Sequence, residues 1–459
     1  MDATRTTPAP RQHRTAESRP EQARTEEARL EQARVEEARA RDRRHVWHTW
    51  SPLAADRTAL MVSHGAGHRV WDVDGKEYLD AASLNSTCGY ARPEVIRAIG
   101  EQAARLHHFD LSLAGQEPAG LLAERLASYL PPELSKTLFV NSGSEGFEAA
   151  LMIASAYWSH LGRPRSRVVG FARGYQGSTL LTRSMSTLPR SRHLLRSPVD
   201  ATLVELPLLP RELRRPESAP LLLAAFERAL YENPEDPPAA VVVEPFLNVG
   251  GAIVLPPGFL RGLRELCDAT GTLLIVDEVF TAYGRSGRMF ASLREDVTPD
   301  ILVSSKGLSG GYVPIAAVNV QQRVHDTFGE DPVIGGLRYG HTTSGHSVAC
   351  AAALATLDVV EKDGLVERAE RLGGVMLDRL APLADDEHVV DVRGLGLILV
   401  VETASPETAA SVVVRAREQG LLLRQAGPSV MAVPPLVIDD EGARAVVDGL
   451  AGALADTVA

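Results

Sequence analysis

The chain has 459 residues, a formal net charge of −11 and three scattered cysteines. This length exceeds one ordinary hydrophobic core and predicts two or more domains. The charge excludes the concentrated basic face that a nucleic acid requires, no apolar run approaches the roughly 20 residues that span a bilayer, and residues 1–10 lack the apolar segment of a signal peptide. We therefore expect a soluble cytoplasmic protein. Its three cysteines do not have the spacing of metal ligands.

Residues 1–45 have a composition unlike the rest of the chain. From residue 20 the sequence cycles through Glu-Gln-Ala-Arg and Glu-Glu-Ala-Arg, and Leu30 and Val35 are almost its only large apolar side chains. Glu and Arg at helical spacing support a solvated helix, but this helix has no apolar face to bury. We predict a disordered or helical charged extension over residues 1–45, and a coiled coil is the less favoured alternative.

From Trp47 onwards the composition is that of a folded protein, and short apolar runs alternate with helical segments. Asp74-Gly75 predicts a β-hairpin, and residues 94–106 carry apolar side chains on one helical face. The predicted strands cover residues 137–140, 167–171, 239–243, 272–276, 301–303 and 315–320, and the clearest helices between them cover 147–158 and 259–269. This alternation predicts a largely parallel sheet covered on both faces, with ligands bound beyond the carboxyl ends of its strands.

From about Ser347 the pattern changes to long helices over residues 349–361 and 365–380, followed by short strands near 397–402 and 430–433. It indicates a smaller C-terminal α+β domain. We therefore predict an α/β protein in four parts. They are the extension 1–45, an N-terminal segment 46–95 that packs with the small domain, a large domain 96–345 and the small domain 346–459.

Lysine is nearly absent from this chain, which makes one candidate conspicuous. Lys306 follows the buried strand 301–303 and precedes the glycine-rich stretch 307–311, where a cofactor can approach the backbone closely. The other three lysines occupy predicted surface positions; they are Lys76, Lys136 and Lys362. Lys306 thus stands where a lysine that forms a Schiff base is expected.

Two carboxylates, Asp277 and Glu278, follow the predicted strand 272–276. Alone, they fit strand-end solvation or helix capping. The functional alternative is that a buried Asp277 pairs with a positively charged ring nitrogen, since a protonated ring withdraws electrons from a substrate carbanion. Asp277 and Lys306 together are more specific than either residue alone.

Small polar residues also follow two other strands. Residues 141–145 precede a predicted helix, where backbone amides and the hydroxyl of Ser144 make an anion site. The alternative is an ordinary N-cap with a capping box. Tyr175, in the glycine-flanked turn 174–177, is a candidate to stack on an aromatic cofactor.

In combination these segments resemble the class III (ω-type) aminotransferases of the pyridoxal-phosphate fold-type I family. The matching segments run from Trp71 to Pro435 and include residues 141–145, 174–177, 243–251, 277–287, 299–307, 393–396 and 434–436. The resemblance implies a large domain with a mostly parallel seven-stranded sheet and a smaller α+β domain from the chain termini. It also implies pyridoxal 5′-phosphate as cofactor and at least a homodimer, because active sites of this fold form at a dimer interface.

The resemblance further implies roles for single residues. Lys306 would form the internal aldimine and, once displaced by substrate, move the proton between the substrate carbon and the cofactor. Asp277 would hold the ring nitrogen protonated, and Tyr175 would stack on the ring. The cofactor phosphate would be bound by Gly143 and Ser144, and also by Thr342 of the partner subunit. Glu244 would lie near the substrate end of the site, and Arg424 would grip a substrate carboxylate, with an ordinary surface arginine as the alternative.

Departures from the family pattern leave the acceptor open. Gln176 replaces the usual His, Phe280 stands where many members have a Gln near the phenolic oxygen of the cofactor, and residues 84–90 lack the entrance Trp. Ser347 replaces the usual proline.

We predict a ping-pong aminotransferase that moves an amino group from a small amino acid, such as alanine or glutamate, to a ketone or aldehyde in a biosynthetic pathway. An aminomutase, decarboxylase or racemase on the same fold and a cofactor-free binding protein are the alternatives. A carrier- or peptide-borne acceptor is a further hypothesis.

Overall fold

The computed structural model describes residues 21–55, 60–189 and 198–458. They fall into two compact units, one within Met1–His64 and Trp71–Glu77 and the other within Gly65–Val70 and Tyr78–Ala459. None of the described helices is both long enough and apolar enough to cross a membrane.

The described elements alternate between strands and helices for most of the chain. The strands are β1 (Val62–Ala66), β2 (Arg69–Asp72), β3 (Glu77–Asp80), β4 (Lys136–Val140), β5 (Val168–Phe171), β6 (Ala201–Val204), β7 (Ala240–Val243), β8 (Phe246–Leu247), β9 (Ile253–Val254), β10 (Leu273–Asp277), β11 (Ile301–Ser304), β12 (Ala316–Val320), β13 (Val389–Gly394), β14 (Leu399–Thr403), β15 (Leu421–Leu422), β16 (Arg424–Ala426) and β17 (Ser429–Ala432). The helices are α1 (Glu21–His45), α2 (Pro93–Arg105), α3 (Glu117–Tyr129), α4 (Gly143–His160), α5 (Leu180–Arg183), α6 (Pro210–Leu213), α7 (Ala219–Tyr231), α8 (Phe259–Thr270), α9 (Gln322–Asp326), α10 (Ser347–Lys362), α11 (Leu365–Leu380), α12 (Pro406–Glu418) and α13 (Asp440–Val458).

The smaller unit begins with the charged segment as helix α1. Glu31 pairs with Arg34 at 3.1 Å and Glu36 with Arg39 at 3.0 Å, three residues apart in each case, as neighbours on a helical surface do. The first 20 residues of the predicted extension lie outside the described residues.

The larger unit is built on a seven-stranded sheet with the order β4-β12-β11-β10-β7-β5-β6. Strand β12 runs antiparallel to both of its neighbours, and the other pairs are parallel. Each apolar run of the sequence corresponds to one strand. The seventh strand, β6, escaped sequence prediction because it is an edge strand in which only Val204 is fully buried. The predicted α/β fold with a mostly parallel seven-stranded sheet is confirmed.

Alternate residues of the inner strands face two different helical layers, as the period of two in a strand requires. Ile275 and Val303 pack with Phe147 of α4 in one core cluster. Leu274 and Val276 pack with α7 and α8 in the cluster on the opposite face. The sheet is therefore covered on both sides, and its strand ends are the open positions.

The C-terminal part forms a second, antiparallel sheet with the order β13-β14-β17-β16. Apolar residues of α11, α12 and α13 cover it in a separate core cluster. Helix α10 contributes Ala353 and Leu357 to a cluster with the central sheet and Val359 and Val360 to the C-terminal cluster, so it connects the two cores. Leu421 of β15 pairs in parallel with Leu79 of β3.

Candidate active site

A cavity of about 220 Å³ lies beyond the carboxyl ends of β7, β10 and β11. Six residues that the sequence predicted for the site line it, namely Gly143, Ser144, Tyr175, Glu244, Asp277 and Lys306. Each stands just after a strand of the central sheet or at its last residue, which brings together positions far apart in sequence. Larger cavities among the described residues, of about 550, 480 and 460 Å³, contain none of these residues.

The start of the 18-residue helix α4 forms one end of this cavity. The Ser142 hydroxyl accepts a hydrogen bond from Glu145 N at 3.3 Å, so Ser142 caps the helix. Glu145 Oε2 accepts one from Asn141 N at 2.8 Å, one residue before the amide that a capping box would engage. The amides of Gly143 and Ser144 belong to the first turn, which has no intrahelical acceptors, and they line the cavity. The two interpretations of this segment are therefore compatible, because a capped helix start still presents amides to an anion.

Two glycines allow the cavity wall to close at this end. A Cβ atom on Gly143 would lie 2.9 Å from Val279 Cγ2, so α4 approaches the end of β10 too closely for a side chain. Gly177 has φ +138°, and a Cβ there would lie 2.4 Å from Ser144 Oγ. A larger residue at either position would displace the walls of the candidate anion site.

The adjacent carboxylates at the end of β10 have different surroundings. Glu278 accepts hydrogen bonds from Ala291 N at 2.9 Å, from Ser292 N at 2.7 Å and from the Thr281 hydroxyl. Asp277 lines the cavity and accepts one from Val279 N at 2.9 Å. Burial raises the pKa of Asp277 to about 7. Glu278 thus holds a loop, whereas Asp277 retains acceptor capacity towards the cavity.

Lys306 begins a short 3₁₀ turn directly after β11 and lines the same cavity. Burial lowers the pKa of its ammonium, an effect that Asp277 and Glu244 oppose and Arg424 reinforces. Its Nζ lies 5.7 Å from the ring centroid of Phe280. A lowered pKa increases the neutral fraction of the amine, the form that acts as a nucleophile.

Glu244 follows β7 and is 5% exposed. Its Oε1 accepts a hydrogen bond from Tyr175 N at 2.8 Å, and its Oε2 accepts one from Asn248 N at 3.3 Å. Burial first, and Asp277 second, raise the pKa of Glu244 to about 8. The carboxyl therefore connects the end of β7 to the turn that carries Tyr175.

Two predicted residues do not line this cavity within the described chain. Arg424, on β16, is exposed, and its Nη1 donates a hydrogen bond to Ala82 O at 3.1 Å. Its influence on the pKa of Lys306 places its charge within electrostatic reach of the cavity. Thr342 is exposed, while its neighbour Thr343 donates to Asn141 Oδ1 at 2.8 Å.

Sequence reasoning missed part of the cavity wall. Phe246 and Phe280 both line it, with ring centroids 6.0 Å apart, and both belong to an apolar cluster with the C-terminal sheet. Phe280 was noticed as a departure, but Phe246, two residues beyond Glu244, was not identified. The sequence signal for Phe246 was an aromatic residue shortly after the end of β7.

The residues of this cavity fit pyridoxal phosphate. Helix-start amides suit a phosphate, a buried carboxylate with unused acceptor capacity suits a protonated ring nitrogen, and a lysine with a lowered pKa suits an aldehyde. The residues that supply these three functions line one cavity of about 220 Å³.

Comparisons with known proteins agree with this arrangement. Residues 51–454 match the family described as aminotransferase class-III. The adenosylmethionine-8-amino-7-oxononanoate aminotransferase of Geobacter sulfurreducens is 35% identical over 433 residues, covering 89% of this chain and 95% of that protein.

Among solved structures, the (S)-enantioselective ω-transaminase of Thermomicrobium roseum aligns with a TM-score of 0.87 and 30% identity, covering 93% of this chain and 99% of that one. The ω-transaminase of Pseudomonas jessenii in complex with PMP aligns with a TM-score of 0.86 and 30% identity, covering 91% and 98%.

Proposed function

The chain belongs to the class III aminotransferases, and we propose that it moves the amino group of a small amino acid to a ketone or aldehyde by means of Lys306 and Asp277. The enzyme is a transaminase whose cofactor is pyridoxal 5′-phosphate. The observation that carries the proposal is the meeting of Lys306, Asp277 and the start of α4 around one cavity.

When bound, pyridoxal phosphate supplies an aldehyde that holds the amino group covalently and a protonated ring that withdraws electrons. Lys306 Nζ, as a neutral amine, would take the proton from the substrate carbon and later return it to the transferred group. Asp277 would keep the proton on the ring nitrogen, and the positive charge beside it would stabilise the Asp277 carboxylate. The amides of Gly143 and Ser144 would hold the phosphate, and Tyr175 would cover the ring.

The test of this activity is a half-reaction of the cofactor-loaded enzyme with alanine. We expect one pyruvate per active site and conversion of the cofactor spectrum to that of its amino form. Addition of a keto acid should then restore the first spectrum, as a ping-pong mechanism requires. Failure of every tested amino acid to yield a keto acid would contradict amino transfer.

For Arg424, we propose binding of the donor carboxylate. Support comes from its influence on Lys306 and from the apolar character of Phe246 and Phe280, which offer a carboxylate no partner. Arg424→Met should raise KM for alanine about tenfold or more, since a charge-assisted pair is lost. The KM for isopropylamine, which has a methyl group in place of the carboxylate, should stay within about twofold. An equal change for both amines would assign Arg424 a structural role.

A homodimer is part of the proposal, because Thr342 lies outside the cavity of its own chain and its predicted ligand is the phosphate in the partner subunit. We expect Thr342→Ala to weaken cofactor binding. Mixing Thr342→Ala with Lys306→Ala chains should restore activity, since one site of the mixed dimer is then intact. No recovery in demonstrably mixed dimers would argue against sharing of the site.

We propose that the reaction belongs to a biosynthetic pathway. A further hypothesis is that the acceptor carbonyl is borne on a carrier or a peptide and that the extension 1–45 contributes to binding it. Deleting these residues should then lower kcat/KM for a large acceptor while leaving small ketones unaffected. Equal activity of both forms on every acceptor would contradict it.

A further inference from the structure

We propose that Glu244 is a positioning residue that holds the Tyr175 turn in place through backbone hydrogen bonds, rather than a residue that contacts substrate. The inference depends on the proposed function in one respect only, which is that Tyr175 stacks on the cofactor ring. It changes the expected role of Glu244, which the sequence placed among the substrate-binding residues.

The orientation of the carboxyl group is the first argument. Its Oε1 accepts the Tyr175 amide at 2.8 Å, and its Oε2 accepts the Asn248 amide at 3.3 Å. The side-chain amide of Gln176 is 3.5 Å from Oε1. Both oxygens are therefore engaged by backbone donors from two different loops, and the carboxyl is buried between them.

The second argument is that the turn needs an anchor. Residues 174–178 have no helix or strand pairing. Gly174 N donates to Phe171 O at 3.0 Å, and Ser178 N donates to Ser144 Oγ at 3.1 Å. Glu244 binds between these two points, at Tyr175, which lines the cavity. It thus determines how far Tyr175 stands from the end of β7.

The third argument concerns charge. A carboxyl oxygen accepts a backbone N–H in either protonation state. An amide of the same length keeps one acceptor oxygen, which can bind the Tyr175 amide, and loses the acceptor of the longer bond from Asn248 N at 3.3 Å. For the Tyr175 turn, the length of the side chain should therefore matter more than its charge. A substrate-binding or proton-transferring carboxylate predicts the opposite order.

The experiment compares Glu244→Gln, which keeps the length and removes the charge, with Glu244→Asp, which keeps the charge and shortens the side chain. Glu265→Gln, a change at an exposed carboxylate on α8, is the control. Amide hydrogen exchange of the cofactor-free protein is measured for peptides covering residues 174–178, together with peptides of α13 that report global unfolding. The dissociation constant of added pyridoxal phosphate is then measured by absorbance.

We expect Glu244→Asp to accelerate exchange in the 174–178 peptides and to raise the cofactor dissociation constant, each about tenfold, as loss of a buried acceptor predicts. Exchange in α13 should not change. Glu244→Gln, whose amide oxygen can still accept the Tyr175 amide, should resemble the wild type within about threefold in both measurements, with KM for alanine unchanged.

Two outcomes would overturn the inference. One is wild-type protection of the 174–178 peptides in Glu244→Asp. The other is a Glu244→Gln enzyme with normal protection and cofactor affinity whose kcat falls more than tenfold, which would make Glu244 a reacting or substrate-binding group. The exchange measurement needs no cofactor, so its result stands even if Lys306→Ala kept full activity and the proposed function failed.

Discussion

Arg393 is a buried cation and Lys306 a partly buried amine, and their surroundings differ. Arg393 donates hydrogen bonds to Ala252 O at 2.7 Å, to Gly251 O at 2.8 Å and to Ser429 Oγ at 3.0 Å, and it also pairs with Asp391 and Glu402. Among the described residues, no group accepts a hydrogen bond from Lys306 Nζ, although Asp277 and Glu244 act on it electrostatically. A buried cation with all donors satisfied stabilises a fold, whereas an amine without a hydrogen-bond acceptor is available for chemistry.

The same contrast separates the neighbouring carboxylates of β10. Glu278 is fully engaged by the loop that follows it, and Asp277 faces the cavity with one backbone donor. Saturation of hydrogen bonds, rather than burial alone, distinguishes the structural charges from the functional ones in this protein.

Replacement of Lys306 should have the largest effect on activity and little effect on stability. Lys306→Ala is expected to lower kcat by roughly 10³-fold or more, because it removes the group that moves the proton. The cofactor-loaded variant should also lack the visible absorbance of lysine-bound pyridoxal phosphate. Lys362→Ala, at the exposed end of α10, is the matched control and should retain both properties. Retention of the absorbance and the activity by Lys306→Ala would contradict the functional role of Lys306.

Replacement of the saturated cation should instead lower stability. Arg393→Met leaves the buried Asp391 carboxylate with Arg214 as its remaining cation and removes the cation that pairs with Glu402, which costs about 3 kcal/mol in the free energy of unfolding. Chemical denaturation of the cofactor-free protein measures this loss. Arg379→Met, which removes a cation paired with Asp448 at 3.5 Å on the surface, should have little effect. Equal stabilities of the two variants would show that hydrogen-bond saturation does not report a structural role.

The smallest expected effect is a pH dependence due to Asp277. Burial raises its pKa to about 7, above the ordinary value near 4, so ionisation of this carboxyl opposes folding. Its favourable contribution is complete below about pH 4 and is lost as the pH rises through about 7. The free energy of unfolding of the cofactor-free wild type, minus that of Asp277→Asn, should therefore decrease by about 1 kcal/mol or more over this interval. Denaturation at a series of pH values measures the difference. A difference that stays constant, as expected for Glu265→Gln at an exposed position, would contradict the raised pKa.

The sequence by itself determined the central sheet and most of the cavity. Lys306 and Asp277 stand at the ends of apolar runs that are buried on both faces, and such runs are recognisable because no polar residue interrupts them. The 141–145 segment follows the edge strand β4, in which Phe139 and Val140 are buried. Parallel strands end at the same edge of a sheet, so strand-end residues meet without further information. The edge strand β6 lacked that signal since most of its residues are only partly buried.

Only the tertiary structure decided which polar groups are already engaged. It showed that Glu278, not Asp277, binds the following loop, that the carboxyl of Glu244 accepts the Tyr175 amide, and that Arg393 connects β13 to the 251–252 loop. These partners lie 14, 69 and 142 positions apart, and no periodic pattern encodes such pairings. The fold therefore follows from local patterns, while the availability of each charge for chemistry depends on contacts that form only when the chain has folded.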